Sequence, residues 1–186
     1  MIGISATSGL VSCARLVPSP NHDARPPNCQ PELIVVHGIS LPPGEFGGPW
    51  IDDLFMNQLD PDAHPYFCEI AGARVSSHLL IRRDAEVVQY VPLNLRAWHA
   101  GESCHAGRDK CNDFSIGIEL EGQDDVPYED CQYVRLAELV GALRRAIPSL
   151  KNAPVVGHSD IAPERKTDPG PAFDWPRFRA LLEPAR

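Results

Sequence analysis

The run Leu33-Ile34-Val35-Val36 is apolar at every position and ends at His37-Gly38, after which a Pro/Gly-rich loop, Leu41–Pro49, begins. Such a run reads as a strand buried on both faces, and a strand of that kind has to be covered by other layers on either side. Val155-Val156 repeats the pattern late in the chain and ends at Gly157-His158. Between them, Phe114, Ile116, Ile118 and Leu120 alternate with Ser115, Gly117, Glu119 and Glu121. That is the period of a strand with one apolar face and both glutamates on the other. Val75–Ile81 and Val87–Val91 flank Arg82–Glu86 and predict a hairpin.

Helical spacing marks Trp50–Gln58, through Trp50, Ile51, Leu54 and Phe55. It also marks Tyr128–Ile147, through Tyr133, Leu136, Leu139, Val140 and Leu143, closed by Pro148. Asp174 is the expected N-cap of a last helix, Trp175–Leu182. The fold class expected is α/β (α+β), a central mixed sheet of about five strands flanked by about three helices.

With 186 residues, 43% apolar and 23% charged, the chain has the makings of one globular domain spanning 1–186. Its stretch to about residue 31 is loop-rich, punctuated by Pro18, Pro20, Pro26 and Pro27. Lys and Arg number 17 against 25 Asp and Glu, a net charge of −8, which argues against a broad basic face for nucleic acid or an anionic membrane. The six cysteines, at 13, 29, 68, 104, 111 and 131, show no C-x-x-C spacing and read as reduced thiols. Leu10-Val11-Ser12-Cys13 resembles the box before a lipid-modified cysteine. No Lys or Arg precedes it, however, and Met1–Gly9 is diluted by Ser, Thr and Gly. A soluble, cytoplasmic, monomeric protein is expected.

Two histidines, His37 and His158, stand directly after predicted buried strands and face loops. One such histidine is ordinarily structural; two in the same topological position favour a shared site. The loop after His158 is stiffened by Pro163 and Pro169, which allows Asp168 to return and supply an oxygen. Two imidazoles and a carboxylate leave a tetrahedral zinc with one open position for water, the catalytic arrangement. A base is then needed. Glu119 is held rigidly on its strand, and Glu121 shares its face and competes with it; either would otherwise be a solvated strand carboxylate. Lys166 precedes Asp168 closely enough to stabilise an oxyanion, although a loop lysine is more often merely solvated.

Longer stretches carry a resemblance. His158-Ser159-Asp160-Ile161-Ala162-Pro163-Glu164-Arg165-Lys166-Thr167-Asp168-Pro169-Gly170-Pro171 resembles the signature of the bacterial cytoplasmic AmpD-type zinc amidases, which act on N-acetyl-anhydromuramyl-L-alanine. Val36-His37, Ile39–Gly48, Arg96–Gly101 and Cys111–Gly122 resemble the same family, so the likeness runs from about Leu10 to Leu182. The resemblance implies zinc held by His37, His158 and Asp168, Glu119 as proton acceptor in preference to Glu121, and Lys166 as transition-state stabiliser. It implies a muropeptide substrate, cut at the amide between the lactyl group and L-Ala, and a place in peptidoglycan recycling that lowers the signal inducing β-lactamase.

Arg74, Trp98 and His99 match positions suited to an anionic peptide and a sugar face. Gly38 stands where the family commonly has Asn, and Lys110 where it commonly has Arg, so substrate grip is where this chain departs from its relatives. A muropeptide-binding module that has lost catalysis is the alternative, opposed by retention of all three ligands. An exported, wall-trimming amidase would need a signal sequence, which the N-terminus does not convincingly supply.

Overall fold

The computed structural model describes residues 2–182. Its strands are β1 (Arg15–Leu16), β2 (His22–Ala24), β3 (Leu33–Ile39), β4 (Leu79–Ile81) and β5 (Val87–Gln89), followed by β6 (Leu95–Ala97), β7 (Cys104–His105), β8 (Arg108–Asp109), β9 (Ser115–Glu121) and β10 (Val155–Gly157). The helices are α1 (Trp50–Phe55), α2 (Phe67–Ile70), α3 (Asp130–Ala146), α4 (His158–Ile161) and α5 (Trp175–Leu182).

Six strands form the main sheet in the order β1-β5-β4-β9-β3-β10. β3 is parallel to both β9 and β10, and β4 is parallel to β9; β4 and β5 make the expected antiparallel hairpin. The sheet is therefore mixed and flanked by helices, with one strand more than expected. The extra strand is β1, two exposed residues at the sheet edge that offer neither an apolar run nor an alternation. Two short ribbons, β2–β6 and β7–β8, lie outside this sheet.

Both faces are covered, as an apolar β3 demands. Ile34 and Val36, with Ile116, Ile118 and Leu120, pack against Leu136, Leu139, Val140 and Leu143 of α3 and Phe178 of α5. On the other face Leu33 and Val35 meet Ala100, Cys111, Phe114 and Ile161. Further along that layer, Leu80 and Val88 pack with Ile51, Leu54 and Phe55 of α1 and Phe67 of α2. Burial of each such aliphatic side chain contributes about 1.5–3 kcal/mol.

Local chemistry sets the helix ends. α3 begins after a capping box in which the Glu129 amide donates to Gln132 Oε1 at 3.0 Å, so Tyr128 falls outside the helix. α1 stops short of Gln58, and Asn57 just beyond it takes a left-handed φ of 59°. At α5 the Asp174 carboxylate accepts from the Arg177 amide at 2.9 Å, the expected cap. The loop-rich N-terminal stretch is tied to β5, where Gln89 accepts from the Val11 amide and donates to the Gly9 carbonyl, each at 2.9 Å.

His78, fully buried, joins three parts of the layer that carries the histidines. Its Nδ1 accepts from the Gly117 amide at 3.0 Å, and its Nε2 donates to the Leu95 carbonyl at 3.1 Å. Burial first, and the nearby Arg25 guanidinium second, push its pKa down to about 3. In the unfolded chain the same imidazole titrates near about 6.5. Below that pH the unfolded state binds a proton that the folded state refuses, so stability falls as pH falls. We expect this one group to remove about 2 kcal/mol between pH 7.5 and 5. Urea melts of the wild type and a His78→Gln variant check this, because the variant should show a shallower decline; parallel curves would refute it.

Candidate metal centre

The register of the parallel strands builds the site. His37 on β3 pairs with Glu119 on β9, so the two side chains sit side by side on one face. Gly157, the last residue of β10, pairs with Val36, which delivers His158 to the first position of α4 beside His37. The turn is fastened by the Asp160 carboxylate, which accepts from the Gly157 amide at 2.7 Å. The following loop folds back until the Ser159 amide donates to the Asp168 carbonyl at 3.0 Å. All of this lies at the carboxyl ends of β3, β9 and β10, where open α/β sheets commonly bind ligands.

Three donor atoms converge there. His37 Nδ1 and His158 Nδ1 are 3.0 Å apart, and Asp168 Oδ2 is 3.2 Å from the first and 3.1 Å from the second. Both imidazoles are buried, and the carboxylate is 15% exposed, enough to leave a face open toward the cleft. His158 Nε2 lies 3.2 Å from the Ala100 carbonyl oxygen, which can only accept, so its Nδ1 carries the free lone pair. Two such nitrogens and one carboxylate oxygen fit zinc's preferred donors. Burial, partly offset by Asp168, lowers the pKa of His37 to about 4. Burial pushes the Asp168 carboxyl up, but its bonds to His158 and His37 outweigh that and hold it well below the usual carboxylate range.

The donors border a cavity of about 370 Å³ that Glu119, Lys166, Gly38 and His99 also line. Glu119 is 7% exposed, and burial first, then the Asp168 charge, raise its pKa well above the ordinary value. Glu121 is far from the solvated carboxylate that its position suggested. It accepts from the Gly47 amide at 2.7 Å, from Arg82 at 3.1 Å and from the Arg83 amide at 3.1 Å. Both its oxygens are thus committed to holding a loop and a buried cation.

The residues expected at the substrate are spread more widely. Arg74 is exposed on the segment whose neighbours Ala73 and Val75 line the cavity. Trp98 is half-buried, its amide donating to Ser76 Oγ at 3.0 Å. Lys110 lines a separate hollow with Glu102, Ser103 and Arg165. His99 borders the main cavity, but both its ring nitrogens are engaged, with His37 Nε2 at 2.9 Å and Ser115 Oγ at 3.0 Å. A side chain at Gly38 would place its Cβ on the Tyr128 hydroxyl, which donates to the Pro169 carbonyl at 2.9 Å.

Sequence reasoning missed Tyr128, Ser115 and Arg165. Arg165 donates to the Ala100 carbonyl at 2.7 Å and so joins the Asp168 loop to the segment behind His158. One sequence signal was available, a lone glycine in a strand, Gly117, which marks close approach by another group.

The N-acetylmuramoyl-L-alanine amidase family profile matches residues 27–171. The 1,6-anhydro-N-acetylmuramyl-L-alanine amidase AmpD of Citrobacter freundii is 62% identical over 177 residues, which is 95% of this chain and 94% of that protein. A crystal structure of selenomethionine AmpD superposes with a TM-score of 0.91 at 61% identity, covering 95% of this chain and 98% of that one. Escherichia coli AmiD, solved with anhydro-N-acetylmuramic acid-L-Ala-D-γ-Glu-L-Lys, superposes with a TM-score of 0.57 at 29% identity, covering 84% of this chain and 60% of that one. By profile, sequence and fold alike, the chain belongs to the N-acetylmuramoyl-L-alanine amidase family.

Proposed function

We propose that this chain hydrolyses the amide between the lactyl group of 1,6-anhydro-N-acetylmuramic acid and L-Ala of the stem peptide, with one zinc held by His37, His158 and Asp168. The observation that carries the reading is the convergence of those three donor atoms, all within 4.8 Å of one another, beside a buried glutamate on a cleft. The names of the AmpD relatives support the substrate class. Zinc bound there supplies Lewis acidity to the attacked carbonyl and to the attacking water.

Glu119 takes the proton of that water as its oxygen adds to the carbonyl carbon, then gives it to the L-Ala nitrogen as the C–N bond breaks. The products are the free lactyl carboxylate and a peptide with a new amino terminus. Lys166, bordering the same cavity, stabilises the negative charge that develops on the carbonyl oxygen. Arg74, on the segment that borders the cavity, grips a stem-peptide carboxylate and Trp98 meets the sugar, while Lys110, in its separate hollow, reaches a more distal carboxylate and Gly38 contributes no side chain, its space being filled by the Tyr128 hydroxyl.

The place of action is the cytoplasm, in peptidoglycan recycling, where removal of the anhydromuropeptide lowers the signal that induces β-lactamase. Among the described residues no helix is long and apolar enough to cross a membrane. Leu10–Cys13 belongs to the fold, with Val11 buried and bonded to Gln89.

Incubation of the zinc-loaded protein with anhydromuropeptide should release a peptide beginning with L-Ala, detected by mass spectrometry. Binding without release would move the protein to the non-catalytic muropeptide-binding class. Thorough chelation should abolish release and added zinc restore it; full activity in zinc-free protein would sink the metal assignment.

The two strand glutamates should separate cleanly. Glu119→Ala should retain zinc and fold while turnover drops about 10²- to 10⁴-fold. Glu121→Ala removes one of the two carboxylate partners of the buried Arg82 and leaves the Gly47 and Arg83 amides without their acceptor, so it should lose about 1–3 kcal/mol in denaturant melts, with turnover per folded molecule little changed. The opposite ranking in turnover would make Glu121 the base.

A further inference from the structure

Behind the candidate ligands a hydrogen-bond chain runs from the cleft into the protein. Its inner end is fixed by the Ser115 hydroxyl, 2.6 Å from the Cys111 carbonyl oxygen, which can only accept. The hydroxyl hydrogen is therefore committed to Cys111, and Ser115 Oγ accepts from His99 Nε2 at 3.0 Å. A neutral imidazole carries a single N–H, so His99 Nδ1 presents a lone pair. Facing that lone pair at 2.9 Å is His37 Nε2, which must then carry a hydrogen. His37 Nδ1 is left as a lone pair, pointed at the cluster it shares with His158 and Asp168.

Independent features seat the middle of this chain. The amides of His99 and Ala100 both donate to Asn112 Oδ1, at 3.0 and 2.8 Å, which fixes the backbone that carries the ring. The ring itself lies flush against β9 because residue 117 is glycine. A Cβ there would fall between 2.5 and 2.8 Å from His99 Cγ, Nδ1 and Cδ2.

We infer that His99, oriented by Ser115 and seated on Gly117, is a positioning residue that selects the tautomer of His37 and so makes Nδ1 its metal-binding atom. The inference rests on the zinc reading of His37, His158 and Asp168. It gives His99 a task distinct from substrate contact, and it assigns a reason to a glycine in the middle of a strand that is buried at every position. His158 reaches the same Nδ1-free state through the Ala100 carbonyl, so both imidazoles are set from behind.

The test measures zinc affinity by competition against a fluorescent chelator, with thermal melts of the metal-free proteins alongside. Wild type should take up one zinc per chain, and Asp168→Ala should not compete with the chelator. Failure of either result overturns the ligand set itself, and the inference with it. Given those two results, His99→Leu should weaken zinc binding about 10- to 100-fold. His99→Asn, whose amide oxygen falls near the position of Nδ1, should stay within about threefold of wild type. Gly117→Ala should follow His99→Leu.

Unchanged zinc affinity in a folded His99→Leu overturns the inference while leaving the ligand set intact. So does an equal loss in His99→Asn and His99→Leu, because packing and not the acceptor would then be at work. Should the variants fail to fold, imidazole NMR of zinc-loaded wild type decides. An exchange-protected His37 Nε2–H close to His99 is expected, and a freely exchanging one refutes the inference.

Discussion

The parallel pairing of β3 with β9 on one side and β10 on the other is the constraint on which the rest depends. Strand register is quantised in steps of one residue, and a single step turns every side chain to the opposite face. Here the His37↔Glu119 pairing puts a candidate ligand and the proposed proton acceptor on the same face, while Ile34, Val36, Ile116 and Ile118 fill the other against α3 and α5. The apolar face therefore holds the register that the polar face needs. A slip that exposed His37 differently would also push the aliphatic row of β3 into the cleft, and the core burial opposes it. Stability and site geometry are in this sense one property of the same strand pair.

The polar face of β9 shows how neighbours decide what a residue type does. Glu119 and Glu121 are two positions apart on one buried strand, with equivalent chemistry. Around Glu121 the structure supplies a guanidinium and two amides, so the carboxylate is fully paired and its charge is used to anchor Arg82 and the Gly47 loop. Around Glu119 it supplies burial and the like charge of Asp168, with only Lys166 to offset them. The first arrangement holds a carboxylate immobile; the second leaves it eager for a proton. Structural and chemical roles separate within one turn of the pleat.

This also explains what could and could not be read from the chain. The apolar run of β3, the alternation of β9 and the long periodic helix α3 carry their own burial pattern, so their existence and type were legible. β1, β2, β7 and β8 are two or three residues each and owe their conformation to partners elsewhere, and no local period announces them. The histidine positions were visible because each directly follows a buried strand. The burial of Glu121 was not, because its partner Arg82 lies in what reads as a solvent-facing hairpin turn. His99 does border the cavity, but its burial was not legible, since Ser115 and Gly117, which hold it, are ordinary small residues in a strand pattern.

Gly38 illustrates how the floor of the cleft is shaped by segments distant in sequence. The Tyr128 hydroxyl occupies the space a Cβ would need and is itself bonded to the Pro169 carbonyl, one residue beyond Asp168. Tyr128 sits just before α3, whose start is fixed by the Glu129–Gln132 capping box. A side chain at position 38 would therefore have to displace a phenol that is braced by α3 at one end and by the Asp168 loop at the other. Shape and hydrogen bonding at this corner of the cleft are set jointly by three segments distant in sequence. The hydroxyl that fills the space beside Gly38 is also a fixed tether for the loop that carries Asp168, so the effect of position 38 on the site runs through the placement of that carboxylate.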